Sequence, residues 1–194
     1  MRVLVQRVSS AEVRVGGASV GAIGRGLLAL VGVGAGDSAA DAEFVARKLL
    51  GLRVFEDAAG RAWSGSVSSL GLSLLLVSQF TLHASCRKTK PSFQRALGGE
   101  AARPLFDEVV RRCRSDRGVR VETGAFGEMM DVSLVNSGPV TLWLDSKNPH
   151  DLPWPAAGVP EAEAAEAEAE AEAAEGAAEP AGVGSVGGGG AGKS

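Results

Sequence analysis

The sequence predicts a mostly-β α/β fold, a barrel-like or sandwiched sheet with two main helices, and three observations lead there. Eight short stretches alternate or run apolar in the manner of strands. Only two stretches carry a helical apolar period, so the strand–helix alternation of a doubly wound sheet is missing. One segment, Leu72–Phe80, is almost continuously apolar, as expected of a strand covered on both faces.

Taken in order, the strand candidates are 2–8, 11–15, 18–23, 27–33, 53–56, 72–80, 119–123 and 129–144, the last interrupted near Asn136. Gly16-Gly17 between two alternating runs is a hairpin signal. Asp37 or Ser38 is placed to cap a helix reaching about Leu52, with Phe44, Val45, Lys48, Leu49 and Leu52 at helical spacing. A second helix is expected from Ala102 to Ser115, with Pro104 in its first turn and Leu105, Val109 and Cys113 on one face.

Composition bounds the rest. The chain has 194 residues and a net charge of -3, and none of its apolar runs approaches the roughly 20 residues of a bilayer-spanning helix. Met1–Val8 alternates like a strand and lacks a signal peptide's apolar core, so the expectation is a cytoplasmic protein. Cys86 and Cys113 are too few for a disulfide framework or an unaided zinc site, and no cofactor or metal is expected. Charge is uneven: residues 1–145 hold 14 acids and 18 bases, whereas 146–194 hold nine acids and two bases. The expected division is a globular domain over 1–145 and a disordered acidic tail over 146–194, rich in Pro, then Ala and Glu, then Gly. Gly187–Ser194 matches the letters of a phosphate-cradling loop, but no strand leads into it and no helix leaves it, so nucleotide binding is not expected.

Side chains for covalent catalysis are scarce. Of the two histidines, His150 lies in the Pro-rich segment, leaving His83 as the one general-base candidate, although a lone histidine just past a strand is more often on the surface. Two segments invite attention instead. In Ser78-Gln79-Phe80-Thr81-Leu82 an apolar strand ends in three hydrogen-bonding side chains, either lining a site with main-chain N–H groups for an oxyanion or satisfying the strand end. Asn136-Ser137-Gly138-Pro139-Val140-Thr141 breaks the last strand with a proline that cannot donate to a ladder, either a plain turn or a shaped loop that accommodates a cis peptide.

Together these segments resemble the D-aminoacyl-tRNA deacylase family, along with Val5-Gln6-Arg7-Val8, Gly24-Arg25-Gly26-Leu27, Leu52-Arg53-Val54-Phe55, Lys90-Pro91-Ser92-Phe93 and Gly124-Ala125-Phe126-Gly127. The resemblance covers residues 1–145 and implies a homodimer that hydrolyses the ester of D-aminoacyl-tRNA and of mischarged glycyl-tRNA. It implies that Ser78, Gln79, Phe80 and Thr81 form the catalytic pocket, with N–H groups near Phe80 and Thr81 facing the oxyanion. Gly138-Pro139 would be a cis dipeptide inserted into the partner subunit's site to exclude L-amino acids, braced by Arg7, while Phe126 and Met130 would lie near the adenosine. Without an evident base beside Thr81, water attack assisted by the tRNA 2′-hydroxyl is the preferred mechanism. Two departures stand out: Asp131 replaces a residue that is often Gln, and Cys86-Arg87-Lys88-Thr89-Lys90 makes a usually Gly-richer loop basic, which with Arg95 suits acceptor-end phosphates. The competing class is a catalytically silent RNA- or DNA-binding dimer of the same fold.

Overall fold

The computed structural model describes residues 1–148. The expected disordered acidic tail, His150 and the Gly187–Ser194 loop pattern lie outside the described residues, save for 146–148. Among the described residues the order is β1 (Arg2–Val15), β2 (Ala18–Ile23), β3 (Gly26–Gly32), α1 (Ala39–Gly51), α2 (Val67–Leu70), β4 (Ser73–Ser78), a 3-10 turn (Phe80–His83), α3 (Gly99–Arg114), β5 (Arg120–Thr123) and β6 (Asp131–Asp145).

β1 is a single strand of 14 residues where two were expected. Ser9 and Ser10 read as a break in the apolar alternation, but hydrogen bonds to its neighbours carry the strand through. β2 pairs antiparallel with Ala11–Val15 and β3 with Arg2–Val8, while β6 pairs antiparallel along both halves. At Val8 the partners are Gly26 and Asn136 together, so β2 and β3 succeed one another on one edge and β6 takes the other. β4 and β5 then extend the sheet in parallel beyond β3. The sheet curls until β2 meets β5: a Cβ on Gly21 would stand 2.4 Å from the Thr123 carbonyl oxygen, a close approach that only glycine allows. The result is the nearly closed barrel-like sheet with few helices that the sequence predicts.

The apolar run of the central strands is explained by two cores. Leu27, Ala29, Val31, Leu74 and Leu76 face α1 and α3, meeting Ala42, Val45, Leu49, Phe106, Val109 and Cys113. Leu28, Leu75 and Val77 point the other way, into the curl, against Val8, Val13 and Ile23. Each fully buried leucine here contributes about 2 kcal/mol of transfer free energy. Both faces are covered, so both phases of the alternation are apolar.

Several expectations are corrected. Residues 53–56 do not form a strand: Phe55 pairs only with Gly65 in an isolated bridge, because the returning segment passes through Trp63, whose φ of 56° breaks extended structure. The run expected over 72–80 ends at Ser78 and turns into the 3-10 segment. α3 begins at Gly99, three residues before the expected Ala102, which moves Pro104 from the first turn into the second. α2 was not expected, its four residues being too short for a helical period to register. The last strand is one element, but its ladder skips from Thr141 opposite Gln6 to Asn136 opposite Val8, leaving Ser137–Val140 bulged beside Arg7.

The start of α1 is fastened to both ends of the barrel. Ser38 is the N-cap, and the Asp41 carboxylate accepts from its N–H at 2.7 Å. Ser146 Oγ and Lys147 Nζ also donate to Asp41, at 2.6 and 2.8 Å. The Met1 ammonium pairs with Asp37 at 2.7 Å and also donates to Ser146 Oγ. Burial alone would raise the Asp41 pKa, but the donors Lys147, Ser146 and Ser38 outweigh it and hold the carboxyl well below the usual carboxylate range. A depressed pKa stabilises the fold above the unfolded-state value near 3.9 and loses that contribution as pH falls through the folded-state value. Asp41→Asn is therefore expected to cost about 1–3 kcal/mol in urea unfolding at pH 7. The gap to the native protein should narrow as the pH is taken below about 4.

Candidate active site

A cleft of about 800 Å³ opens at the carboxyl ends of β3 and β4, where ligands commonly bind to parallel strands. Its floor is Val31, Val33 and Val77, one wall is the turn after β4, and the other is Phe126–Met130 with Val132. Leu97 to Ala102, the entry to α3, closes the back.

The turn after β4 is built by main-chain hydrogen bonding. Gln79 N–H donates to the Val31 carbonyl at 2.8 Å, which holds the chain against β3 for one residue more. The 3-10 turn then begins, and the N–H groups of Phe80 and Thr81 have no acceptor within it. These two donors sit in a segment whose Ser78, Gln79, Phe80 and Thr81 all line the cleft. Gln79 Nε2 donates to Thr81 Oγ1, which orients the hydroxyl without supplying a base. Phe80 is 54% exposed and meets the Phe93 ring edge-on at 5.0 Å, so the cleft mouth carries an aromatic pair.

Phe126 and Met130 also line this cleft. Phe126 lies 5.5 Å from Phe106 of α3, with the Arg103 guanidinium 5.7 Å from its ring centroid. Met130 Sδ stands 2.8 Å from where a Cβ on Gly124 would lie, so that glycine makes room for the thioether. Met129, on the same wall, is 91% exposed, whereas Asp131 starts β6 opposite Arg14 and is not part of the cleft lining.

Arg7, Gly138 and Pro139 form a separate cluster. None of the three lines the cleft of their own chain. Arg7 donates through Nε to the Ser137 carbonyl at 3.2 Å and through Nη1 to the Val54 carbonyl. The Gly138-Pro139 peptide is cis, and Gly138 has a φ of 117°. A Cβ there would fall 2.8 Å from Arg7 Nη2, so both conformation and space require glycine. The dipeptide is exposed.

His83 is neither at the surface nor in the cleft. It is buried beneath β3, with Nε2 3.2 Å from the Gly32 carbonyl oxygen and its ring filling the space over Gly34. A histidine following a strand end was read as exposed because the 3-10 turn that folds it inward leaves no periodic trace. Cys113 is buried in α3, where desolvation pushes its thiol up to about 12, and Cys86 is exposed. Among the described residues no three His, Cys, Asp or Glu side chains converge as a metal site. Sequence reasoning missed the lining role of Leu97, Ala102 and Glu128, which carry no chemical motif. Phe93 was quoted only within a family segment, and its signal was an aromatic isolated in a polar stretch.

Fold and cleft define a small, nearly closed β-barrel protein whose pocket of ligand size is bordered by Phe80, Phe93 and Phe126 and by the start of the 3-10 turn. The chain belongs to the D-Tyr-tRNA(Tyr) deacylase family, whose sequence profile matches residues 4–145. A D-aminoacyl-tRNA deacylase of Chromobacterium violaceum is 52% identical over 150 residues, 77% of this chain and 99% of the relative. Another, of Thermomicrobium roseum, is 54% identical over 147 residues, 75% of this chain and 94% of the relative. Among solved structures, the c-Myc DNA unwinding element binding protein is 40% identical with a TM-score of 0.71, over 75% of this chain and 98% of that one. A probable eukaryotic D-amino acid tRNA deacylase, 18% identical with a TM-score of 0.65 over 74% of this chain and 97% of that one, shares the fold.

The position of His83 yields a stability prediction. Desolvation holds its pKa below the ordinary 6.5, against the opposing pull of the Gly32 carbonyl, so the unfolded chain takes up the proton first. The contribution is complete above about pH 6.5 and declines as the pH falls through the interval below it. Urea unfolding at pH 7.5 and 5.5 should show the native protein losing stability at the lower pH. His83→Gln should flatten that dependence while costing about 1–3 kcal/mol at pH 7.5.

Proposed function

We propose that this chain hydrolyses the ester linking a D-amino acid, or mischarged glycine, to the terminal adenosine of tRNA. The observation that carries the reading is the cleft itself. Ser78-Gln79-Phe80-Thr81 lines a pocket bordered by Phe80, Phe93 and Phe126, and the N–H groups of Phe80 and Thr81 have no acceptor within their turn, in a chain about half identical to several D-aminoacyl-tRNA deacylases. In this reading the donors at Phe80 and Thr81 stabilise the tetrahedral oxyanion, an effect worth about 3–4 kcal/mol per donor in water-excluded sites. Phe126 and Met130 hold the adenosine. The substrate is charged tRNA, and the activity belongs in the cytoplasm where charged tRNA is used.

Chiral selection is assigned to Gly138-Pro139 acting between two copies. The dipeptide is exposed and lies outside the lining of its own cleft, which supports a filter presented by the partner of a homodimer. Arg7 braces it through the Ser137 carbonyl. A main-chain filter of this kind works by excluding the side chain of an L-amino acid, and it admits glycine, which has none.

For the chemistry, the side-chain environment of Thr81 favours an attacking water assisted by the tRNA 2′-hydroxyl. Thr81 Oγ1 has Gln79 as its partner, an amide that cannot take a proton, and His83 is turned away. Thr81→Ala is expected to retain kcat/KM within about tenfold, whereas loss of a covalent nucleophile costs about 10⁴-fold or more. A tRNA ending in 2′-deoxyadenosine should be hydrolysed at least about 100-fold more slowly, the usual scale of a lost general-base contribution.

The deciding assay compares D- and L-aminoacyl-tRNA hydrolysis at matched enzyme concentration with EDTA present. Rapid D-selective release supports the reading. Equal turnover of both isomers removes the role of Gly138-Pro139. The name of the c-Myc DNA unwinding element binding protein favours a second reading, a catalytically silent nucleic-acid-binding dimer. Retained tRNA or DNA binding without turnover of either ester would establish it.

A further inference from the structure

Between the 3-10 turn and α3 the chain makes a loop that the pocket chemistry leaves unused. Ser85 and Ser92 pair through two main-chain hydrogen bonds of 2.8 and 2.9 Å, tying off residues 86–91 as a hairpin tip. The returning arm is tied to the end of β3 by Ala35 N–H on the Arg95 carbonyl at 2.9 Å and Leu97 N–H on the Val33 carbonyl at 3.0 Å. Phe93 on that arm rests on Phe80, so the loop's base is part of the cleft wall.

The loop's charge is one-sided. Arg87, Lys88, Lys90 and Arg95 are all exposed. No Asp or Glu occurs anywhere from Ala58 to Gly99. Among the described residues none of the four cations has a carboxylate within 4.0 Å, whereas Arg111, Arg112 and Arg120 elsewhere on the surface are each paired. Four exposed cations on one loop beside the cleft wall, with no carboxylate partner among the described residues, raise the local concentration of a polyanion and orient it on approach. The cleft itself offers no cation for phosphate: its lining contains Glu128 and no Lys or Arg. A substrate with both a neutral ester and a charged backbone therefore has separate surfaces for its two parts.

We propose that Arg87, Lys88, Lys90 and Arg95 are positioning residues that bind the backbone phosphates of the single-stranded tRNA 3′ end, while the cleft takes the aminoacyl-adenosine. The assignment rests on the deacylase reading of the cleft and identifies the surface that receives the rest of the substrate. The loop acts on binding and not on the ester, so its effect appears chiefly in KM.

The test uses the full chain and a variant with Arg87→Gln, Lys88→Gln, Lys90→Gln and Arg95→Gln. Both are assayed on D-aminoacyl-tRNA and on the D-aminoacyl ester of adenosine, which carries no phosphate. On tRNA at low salt the variant should lose at least about tenfold in kcat/KM, and its salt dependence should flatten by about 0.7 logarithmic units per phosphate contact removed. Turnover of the adenosine ester should persist in the variant. Equal losses on both substrates, or none on tRNA, would overturn the assignment. If neither protein hydrolyses either ester, the deacylase reading fails, and the loop is then judged by filter binding of uncharged tRNA. Weaker tRNA binding by the variant upholds the loop assignment. Unchanged tRNA binding with loss of single-stranded DNA binding overturns it in favour of a DNA partner.

Discussion

Both edges of β1 are occupied along almost its whole length, and the remaining architecture follows from how its neighbours share it. β2 and β3 succeed one another on one edge, Gly26 opposite Val8 and Ile23 opposite Ala11, with the chain between them bending at Gly24-Arg25 and the register shifting once, between Val13 and Arg14. β6 must cover the other edge over the same span, but it has four residues between Asn136 and Thr141 where the register opposite Arg7 holds one. Those residues leave the ladder as the bulge that carries Gly138-Pro139. The ladder resumes on both sides of the bulge, at Asn136 and Thr141, and keeps the backbone groups of β1 and β6 paired there. The exposed dipeptide and its arginine brace thus sit where β6 carries more chain than the single residue Arg7 of β1 can pair.

Where the sequence was legible, a face was being buried. The unbroken apolar runs of β3 and β4 announced strands with two cores, and the structure divides them residue by residue between helices and barrel interior. The helical period of α1 was equally clear because Val45 and Leu49 face one core. What could not be read locally was pairing. Val54 and Phe55 look like a strand because they are buried, yet burial in a loop that anchors the core produces the same two letters. β1 looked divided at Ser9-Ser10 because two polar residues interrupt alternation, although strand continuity is set by partners that come much later in the chain, Val135 of β6 lying opposite Ser10. The start of α3 was misplaced because Gly98 and Gly99 resemble a loop, whereas helix propensity there is overridden by the packing of Ala102 and Phe106.

The site divides along the same line. Ser78–Thr81 could be located because a core strand that ends in polar side chains is a local pattern, and the cleft does gather these residues with Phe126 and Met130. The placement of Arg7 and Gly138-Pro139 away from that cleft was beyond local reading, since it depends on which face of β6 the bulge leaves. His83 shows the opposite failure: its chemistry made it a candidate, but its place under Gly32 and Gly34 makes it a packing residue with one main-chain partner.

On the deacylase reading, a cleft of this composition suits a reaction that must distinguish substrates differing only in handedness. Charged side chains near an ester would accelerate L- and D-substrates alike, because the ester is the same in both. Donors fixed in the main chain between Gln79 and Thr81 cannot swing to accommodate a misplaced carbonyl, so the ester is stabilised only in one orientation. Discrimination then falls to what surrounds the α-carbon, and a rigid backbone obstacle rejects by steric exclusion without needing a favourable contact. Keeping the cations on the loop outside the pocket is part of the same arrangement. Phosphate attraction is strong and indifferent to chirality, and within the cleft it would hold the wrong isomer as firmly as the right one.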